Sequence, residues 1–83
     1  MITKAWEKHE SELSKSTYQT VKNLLKALAP LSYQAIRKQV QNQSLMQGQR
    51  LNDMIDETLN YLCFHGDIYF YMDNEGNTIF DIN

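Results

Sequence analysis

Cysteine, proline and glycine are scarce in this chain of 83 residues, which holds one cysteine (Cys63), one proline (Pro30) and three glycines. A single cysteine excludes an intramolecular disulfide, so the fold must rest on its own core, and a reducing compartment is the natural setting. Three glycines are too few for a loop that cradles phosphate. Histidine is equally rare, with His9 and His65 only. Cys63 and His65 stand in a C-x-H spacing, but zinc takes three or four ligands and there is no second Cys/His pair, so no metal site and no cofactor are expected. Cys63 reads instead as a small core residue and His65 as a helix-terminus residue favoured by the macrodipole. Long apolar runs are missing as well, which excludes a membrane-spanning helix. Met1-Ile2-Thr3-Lys4 leads directly into a charged amphipathic pattern without an apolar signal segment, and the expected localisation is cytoplasmic. In that setting the Asn42-Gln43-Ser44 glycosylation sequon is a chance match.

What is present is a globular composition, 42% hydrophobic and 22% charged, with nine aromatics among the three aromatic types. A chain of this size buries only about 60 to 65% of the surface its unfolded form exposes, so 1–83 reads as a single domain. The net charge of −2 conceals a division. Residues 1–42 carry seven basic side chains (Lys4, Lys8, Lys15, Lys22, Lys26, Arg37, Lys38) against Glu7, Glu10 and Glu12, a net of +4. Residues 43–83 carry only Arg50 against seven acids (Asp53, Asp56, Glu57, Asp67, Asp73, Glu75, Asp81), a net of −6. Any nucleic-acid partner would have to contend with that second half.

Apolar or semi-apolar side chains recur at Ile2, Ala5, Trp6, His9, Leu13, Thr17, Val21, Leu24, Leu25 and Leu28, close to helical spacing. Ser14 and Ser16 are both good N-cap residues, so this stretch is either one long helix or two pieces, and Pro30 ends it in both cases. Ser32 can cap a short helix from Tyr33 to about Val40, with Ile36 and Val40 inward, before the polar stretch 41–44 breaks the pattern. A third helix starts between Gln47 and Arg50. Its stripe is Leu51, Met54, Ile55, Thr58, Leu59 and Leu62, and it stops near Gly66, the residue best suited to a left-handed C-terminal conformation.

From Asp67 the chemistry changes to strand, Ile68-Tyr69-Phe70-Tyr71-Met72, then the turn formers Asp73-Asn74-Glu75-Gly76-Asn77, then a second strand, Thr78-Ile79-Phe80-Asp81-Ile82. A five-residue loop sets Met72 opposite Thr78, Phe70 opposite Phe80 and Ile68 opposite Ile82, and this face is expected to be the core face. The other face carries Tyr69, Tyr71, Ile79 and Asp81, unusually apolar for a side meeting water.

Three helices followed by a hairpin, with the last helix closing in Leu59-Asn60-Tyr61-Leu62-Cys63-Phe64-His65-Gly66-Asp67-Ile68, resemble a winged-helix (winged helix-turn-helix) domain over residues 17 to 82. The resemblance implies an α+β fold: a three-helix winged-helix core at 16–83, a C-terminal β-hairpin wing, and an extra amphipathic N-terminal helix at 1–15. It also implies one of two uses, DNA binding through the third helix and the wing, or a protein-interaction module.

The residues can be set against the DNA-binding mode. With the Leu51/Ile55/Leu62 stripe inward, the opposite face of the third helix presents Gln49, Asp53, Asp56 and Asn60. Two of those four are carboxylates, and the wing tip adds Asp73 and Glu75, all meeting a backbone with about one negative charge per 1.7 Å. The helix entry retains Gln47, Gln49, Arg50 and Asn52 as groups able to bond base edges, with Arg37 and Lys38 on the second helix.

No catalytic site is expected. His9-Glu10-Ser11-Glu12-Leu13 lacks the second histidine of the metalloprotease motif, and the 73–77 segment lacks the sixth-position glycine and distal glutamate of a calcium loop. Asp53, Asp56 and Glu57, spaced i, i+3, i+4, could serve as acid and base but read as a solvated helix face. Trp6 either packs back on the domain or lies on a helix that pairs with another subunit. Tyr69, Tyr71 and Ile79 are either covered by the N-terminal helix or form a charge-depleted partner-binding patch. The expectation is thus a non-enzymatic regulator or adaptor, dimeric or bound to another protein through Tyr69, Tyr71, Ile79 and Trp6. It includes an inhibitor of a nucleic-acid-handling machine; the alternative is a sequence-specific DNA-binding transcriptional regulator. Neither reading calls for a small-molecule substrate or a membrane.

Overall fold

The computed structural model describes the backbone of residues 2–44 and 48–83, and the side chains of 15–44 and 48–83. Its order of elements is α1 (Ile2–Leu28), β1 (Leu31–Ser32), α2 (Tyr33–Gln43), α3 (Gln49–Phe64), β2 (Ile68–Met72) and β3 (Thr78–Ile82), an α+β arrangement. Among the described residues no helix is long and apolar enough to cross a membrane.

The choice between one N-terminal helix and two is resolved in favour of one. α1 runs unbroken for 27 residues, about 40 Å at the usual rise, so residues 2–15 form the first half of α1 and not a separate helix. Neither serine near its middle interrupts it, because a serine inside a helix costs only a few tenths of a kcal/mol when the residues on both sides favour helix. Thr17, Val21, Leu24 and Leu25 are buried as their spacing implies, whereas Leu28, assigned to the same stripe, is 53% exposed at the end of α1, where the chain turns away into β1.

The N-cap assigned to Ser32 is present: its Oγ accepts the Ala35 amide at 3.1 Å and its backbone is extended. α2 extends three residues past Val40, through Gln41-Asn42-Gln43. Loss of apolar period marks the end of a buried face and not the end of a helix, and glutamine is a good helix former in water. α3 buries all six residues of its stripe. After it, His65 donates its amide to Tyr61 O at 3.1 Å and Gly66 takes φ of 77°, the left-handed turn that releases the chain into β2.

The hairpin register agrees at every pair with that inferred from loop length, including Ile68 with Ile82, Phe70 with Phe80 and Met72 with Thr78. The sheet is not a simple hairpin, however. Leu31 and Ser32 pair with Phe80 and Ile79, giving a three-stranded antiparallel sheet in the order β1-β3-β2. Two residues are too short for any alternating pattern to reveal.

The core joins the helices to the foot of this sheet. Val21, Leu24, Leu25, Ile36, Val40, Leu51, Ile55, Leu59 and Leu62 meet Ile68 and Phe80 in one cluster, each fully buried aliphatic contributing about 1.5–3 kcal/mol. The two buried hydroxyls are satisfied: Thr58 donates to Met54 O at 2.8 Å, and Thr17 lies 3.9 Å from Met54 Sδ.

The expected core face of the hairpin needs correction. Ile68 and Phe80 are 4% and 8% exposed, but Phe70, Met72 and Ile82 on the same face are 60%, 64% and 45% exposed. Alternation fixes which side chains share a face but not how far the helices extend over it. Here the cover reaches Phe80 at the middle of β3 and Ile68 at the base of β2, and Phe70, Met72 and Ile82 are left exposed.

Candidate functional site

The hairpin holds the densest exposed apolar surface among the described residues: Tyr69, Phe70, Tyr71, Met72 and Ile82 are all at least 43% exposed. On the face singled out by sequence, Tyr71 lies directly opposite Ile79 and Tyr69 opposite Asp81. The Tyr69 and Tyr71 rings are 6.1 Å apart, and the Tyr69 hydroxyl donates to Asp81 Oδ2 at 3.4 Å. The Asp81 carboxylate, with a smaller contribution from burial, raises the Tyr69 hydroxyl above its ordinary pKa. Tyr69 and Tyr71 are each 43% exposed, and the side chains of the first half of α1, which the alternative reading would lay over them, lie outside the described residues.

The second face is also a surface, with Phe70 and Met72 60% and 64% exposed. Phe70 and Met72 lie on the face that alternation assigns to the core, and no sequence signal opposes that assignment, because β2 becomes the edge strand only through the pairing of β1 with β3. Phe64, at the end of α3, is 87% exposed. That exposure is legible in the sequence, since Phe64 sits two residues after Leu62 and so about 200° around the helix from the buried stripe. Its ring meets His65 at 5.5 Å, and His65 in turn lies 4.2 Å from Tyr61, which packs edge-on against Tyr18 of α1 at 5.7 Å. Beside that run of rings an open groove of about 660 Å³ lies between α1 and α3, lined by Lys15, Tyr18, Gln19, Glu57, Thr58 and Tyr61.

At the loop, Asp73 organises the turn. Its Oδ1 accepts the amides of Glu75 at 2.9 Å and Asn77 at 2.8 Å, its Oδ2 accepts Asn77 Nδ2 at 3.3 Å, and its own amide donates to Asn77 O at 2.9 Å. These donors, the Asn77 amide foremost, hold the carboxyl below its ordinary value. The segment is a tight turn built on an aspartate, and its oxygens are spent on its own backbone.

Of the residues assigned to DNA contact, Arg37 and Asn52 are bonded to each other and Gln49 is bonded to Asp53. Asn52 Oδ1 accepts from Arg37 Nε at 3.3 Å and from Gln41 Nε2 at 2.8 Å, tying α3 to α2. The Arg37 guanidinium also lies 5.5 Å from the centre of the Tyr33 ring. Gln49 donates to Asp53 Oδ1 at 2.9 Å. Asp56 accepts the Tyr33 hydroxyl, and burial together with that carboxylate raises the tyrosine above its ordinary pKa. Arg50 and Lys38 are exposed. Gln47, and the side chains of Trp6 and His9, lie outside the described residues.

Among the described residues no three of His, Cys, Asp and Glu gather in a group that could hold a metal ion. Cys63 is partly buried against the core, and that burial raises its thiol pKa, which makes it a poor nucleophile. Asp56 lines a shallow space with Tyr33, Leu59 and Asn60, Glu57 lines the α1–α3 groove, and Asp53 lines neither. Comparison with protein-family models, with curated proteins and with solved structures finds no match to this chain.

Proposed function

We propose that this chain is a non-catalytic regulatory or adaptor protein of winged-helix type that works through protein–protein contacts made by its C-terminal hairpin. The observation that carries the reading is the hairpin surface. Tyr69 and Tyr71 on one face and Phe70 and Met72 on the other are exposed together on a strand with no charged side chain. Side chains of this kind, large and weakly hydrated, supply most of the energy when an interface closes over them. What supports the winged-helix assignment is the order of elements, three helices and then a hairpin, with α3 passing into β2 through His65-Gly66-Asp67.

The acids support a protein partner over a nucleic acid. Asp53 and Asp56 stand on α3, and Asp73 and Glu75 on the loop, the two elements a DNA-binding winged helix would press against phosphate. A modulator of a nucleic-acid-handling machine, offering carboxylates where phosphate would otherwise lie, fits the same pattern. The competing reading, sequence-specific DNA binding, has exposed Arg50 and Lys38 in its favour. The test is retention of native partners by immobilised wild-type protein and by Tyr71→Ala, scored beside a DNA-binding titration of both. Loss of protein partners in the variant, with no DNA affinity in either, supports the interaction module. Unchanged retention rejects the hairpin face.

A further inference from the structure

The free edge of β2 is a hydrogen-bonding surface whose direction can be read from the two ends of the hairpin. Asn83 donates its amide to Asp67 O at 3.2 Å, and Asp73 donates its amide to Asn77 O at 2.9 Å. Hydrogen-bonded pairs alternate with non-bonded ones along an antiparallel ladder, so Tyr69 and Tyr71, lying between Asp67 and Asp73 at steps of two, direct their amides and carbonyls towards β3. Ile68, Phe70 and Met72 direct theirs outward. β2 is the last strand of the sheet, and among the described residues no strand pairs with that outward side.

Sheet proteins usually blunt such an edge with a lysine, a proline or a bulge, and β2 has none of these. Its side chains are also self-complementary about a two-fold axis through Phe70. Antiparallel pairing of β2 with β2 of a second copy sets Phe70 against Phe70, Ile68 against Met72 and Tyr69 against Tyr71. Every outward amide and carbonyl of both strands is then used, and the two three-stranded sheets merge into one of six. Axes through Tyr69 or Tyr71 would leave part of that edge unpaired.

We infer that β2 is a self-association edge, and that the protein forms a two-fold homodimer by antiparallel β2–β2 pairing centred on Phe70. This rests on the reading of the hairpin as the working surface and names its partner, a second copy of this chain. At their exposures, Tyr69, Phe70, Tyr71 and Met72 offer roughly 400–500 Å² per protomer. That is short of the ~800 Å² per partner of a standard interface, so the dimer is weak and its population follows concentration. The pairing also sets Asp67 opposite the Asp73 of the other copy, where like charges repel and salt screens them, so association strengthens as salt rises.

Three measurements test it. Light scattering from micromolar to millimolar protein shows a monomer–dimer equilibrium that shifts towards dimer with added salt. Met72→Pro removes one outward amide while sparing the β2–β3 ladder, and it returns the protein to monomer with its circular dichroism unchanged. In a Cys63→Ser background, Phe70→Cys oxidises to a disulfide-linked dimer, since a bonded antiparallel pair places the two Cα atoms about 5.5 Å apart. Tyr69→Cys, which faces Tyr71 and not its own equivalent, cross-links far more slowly. A monomer at every concentration overturns the inference, as does a dimer untouched by Met72→Pro or equal cross-linking of the two cysteine variants. A monomer that still loses a protein partner on Tyr71→Ala overturns the self-pairing and leaves the hairpin reading in place.

Discussion

Phe70 and Phe80 face each other across β2 and β3 with ring centroids 6.0 Å apart, yet Phe80 is 8% exposed and Phe70 60%. One ring belongs to the core and the other to the surface. Phe80 sits on the middle strand, with Tyr33 of α2 at 6.5 Å on its far side, whereas Phe70 sits on the edge. Truncation should separate them: Phe80→Ala costs about 3–5 kcal/mol in urea unfolding, and Phe70→Ala less than about 1 kcal/mol. Equal losses would mean that the hairpin packs more deeply than its exposure indicates.

Tyr33 joins α2 to α3 through Asp56, and this link has a pH signature. Its hydroxyl titrates above the ordinary value of 10.0 in the folded protein, chiefly through burial and then through the Asp56 carboxylate. The unfolded chain therefore loses this proton first. The stabilisation is fully present below pH 10 and is lost as pH rises through the folded value. Tyr33→Phe should cost about 1 kcal/mol at neutral pH and flatten the alkaline decline in Tm. A variant whose decline matches the wild type would remove Tyr33 as its cause.

Asp73 gives the opposite sign. Its carboxyl is held below the ordinary value of 3.8, so the stability it lends the turn is present above that value and lost as pH falls through the folded one. The amide chemical shifts of Glu75 and Asn77 should titrate together, with a midpoint below 3.8. Asp73→Ala should remove that step and speed hydrogen exchange at both amides at neutral pH. A midpoint at the unperturbed value would mean that the aspartate does not organise the loop.

The elements set by local rules were legible in the sequence. The Ser32 cap, the stripe of α3, the Gly66 turn and the hairpin register each follow from a few adjacent residues and a fixed period. What depended on distant chain was not. β1 exists only because β3 is beside it to accept the pairing, and two residues have no period of their own. The exposure of Phe70 and Met72 depends on where the helices stop, which alternation cannot encode. Among the candidate site residues, Tyr69, Tyr71 and Ile79 share one face of the hairpin, and that placement follows from strand alternation and register alone. The bonds of Asn52 to Arg37 and Gln41 were hidden because they span two helices.

The central claim is that this fold meets protein and not DNA, and the most direct measurement is duplex-DNA affinity across a salt titration, with Arg50→Ala as control. The expected result is no binding tighter than the micromolar, nonspecific range and little change with the variant, given the carboxylates on α3 and the loop. Sub-micromolar binding that falls steeply with salt and is abolished by Arg50→Ala would contradict it.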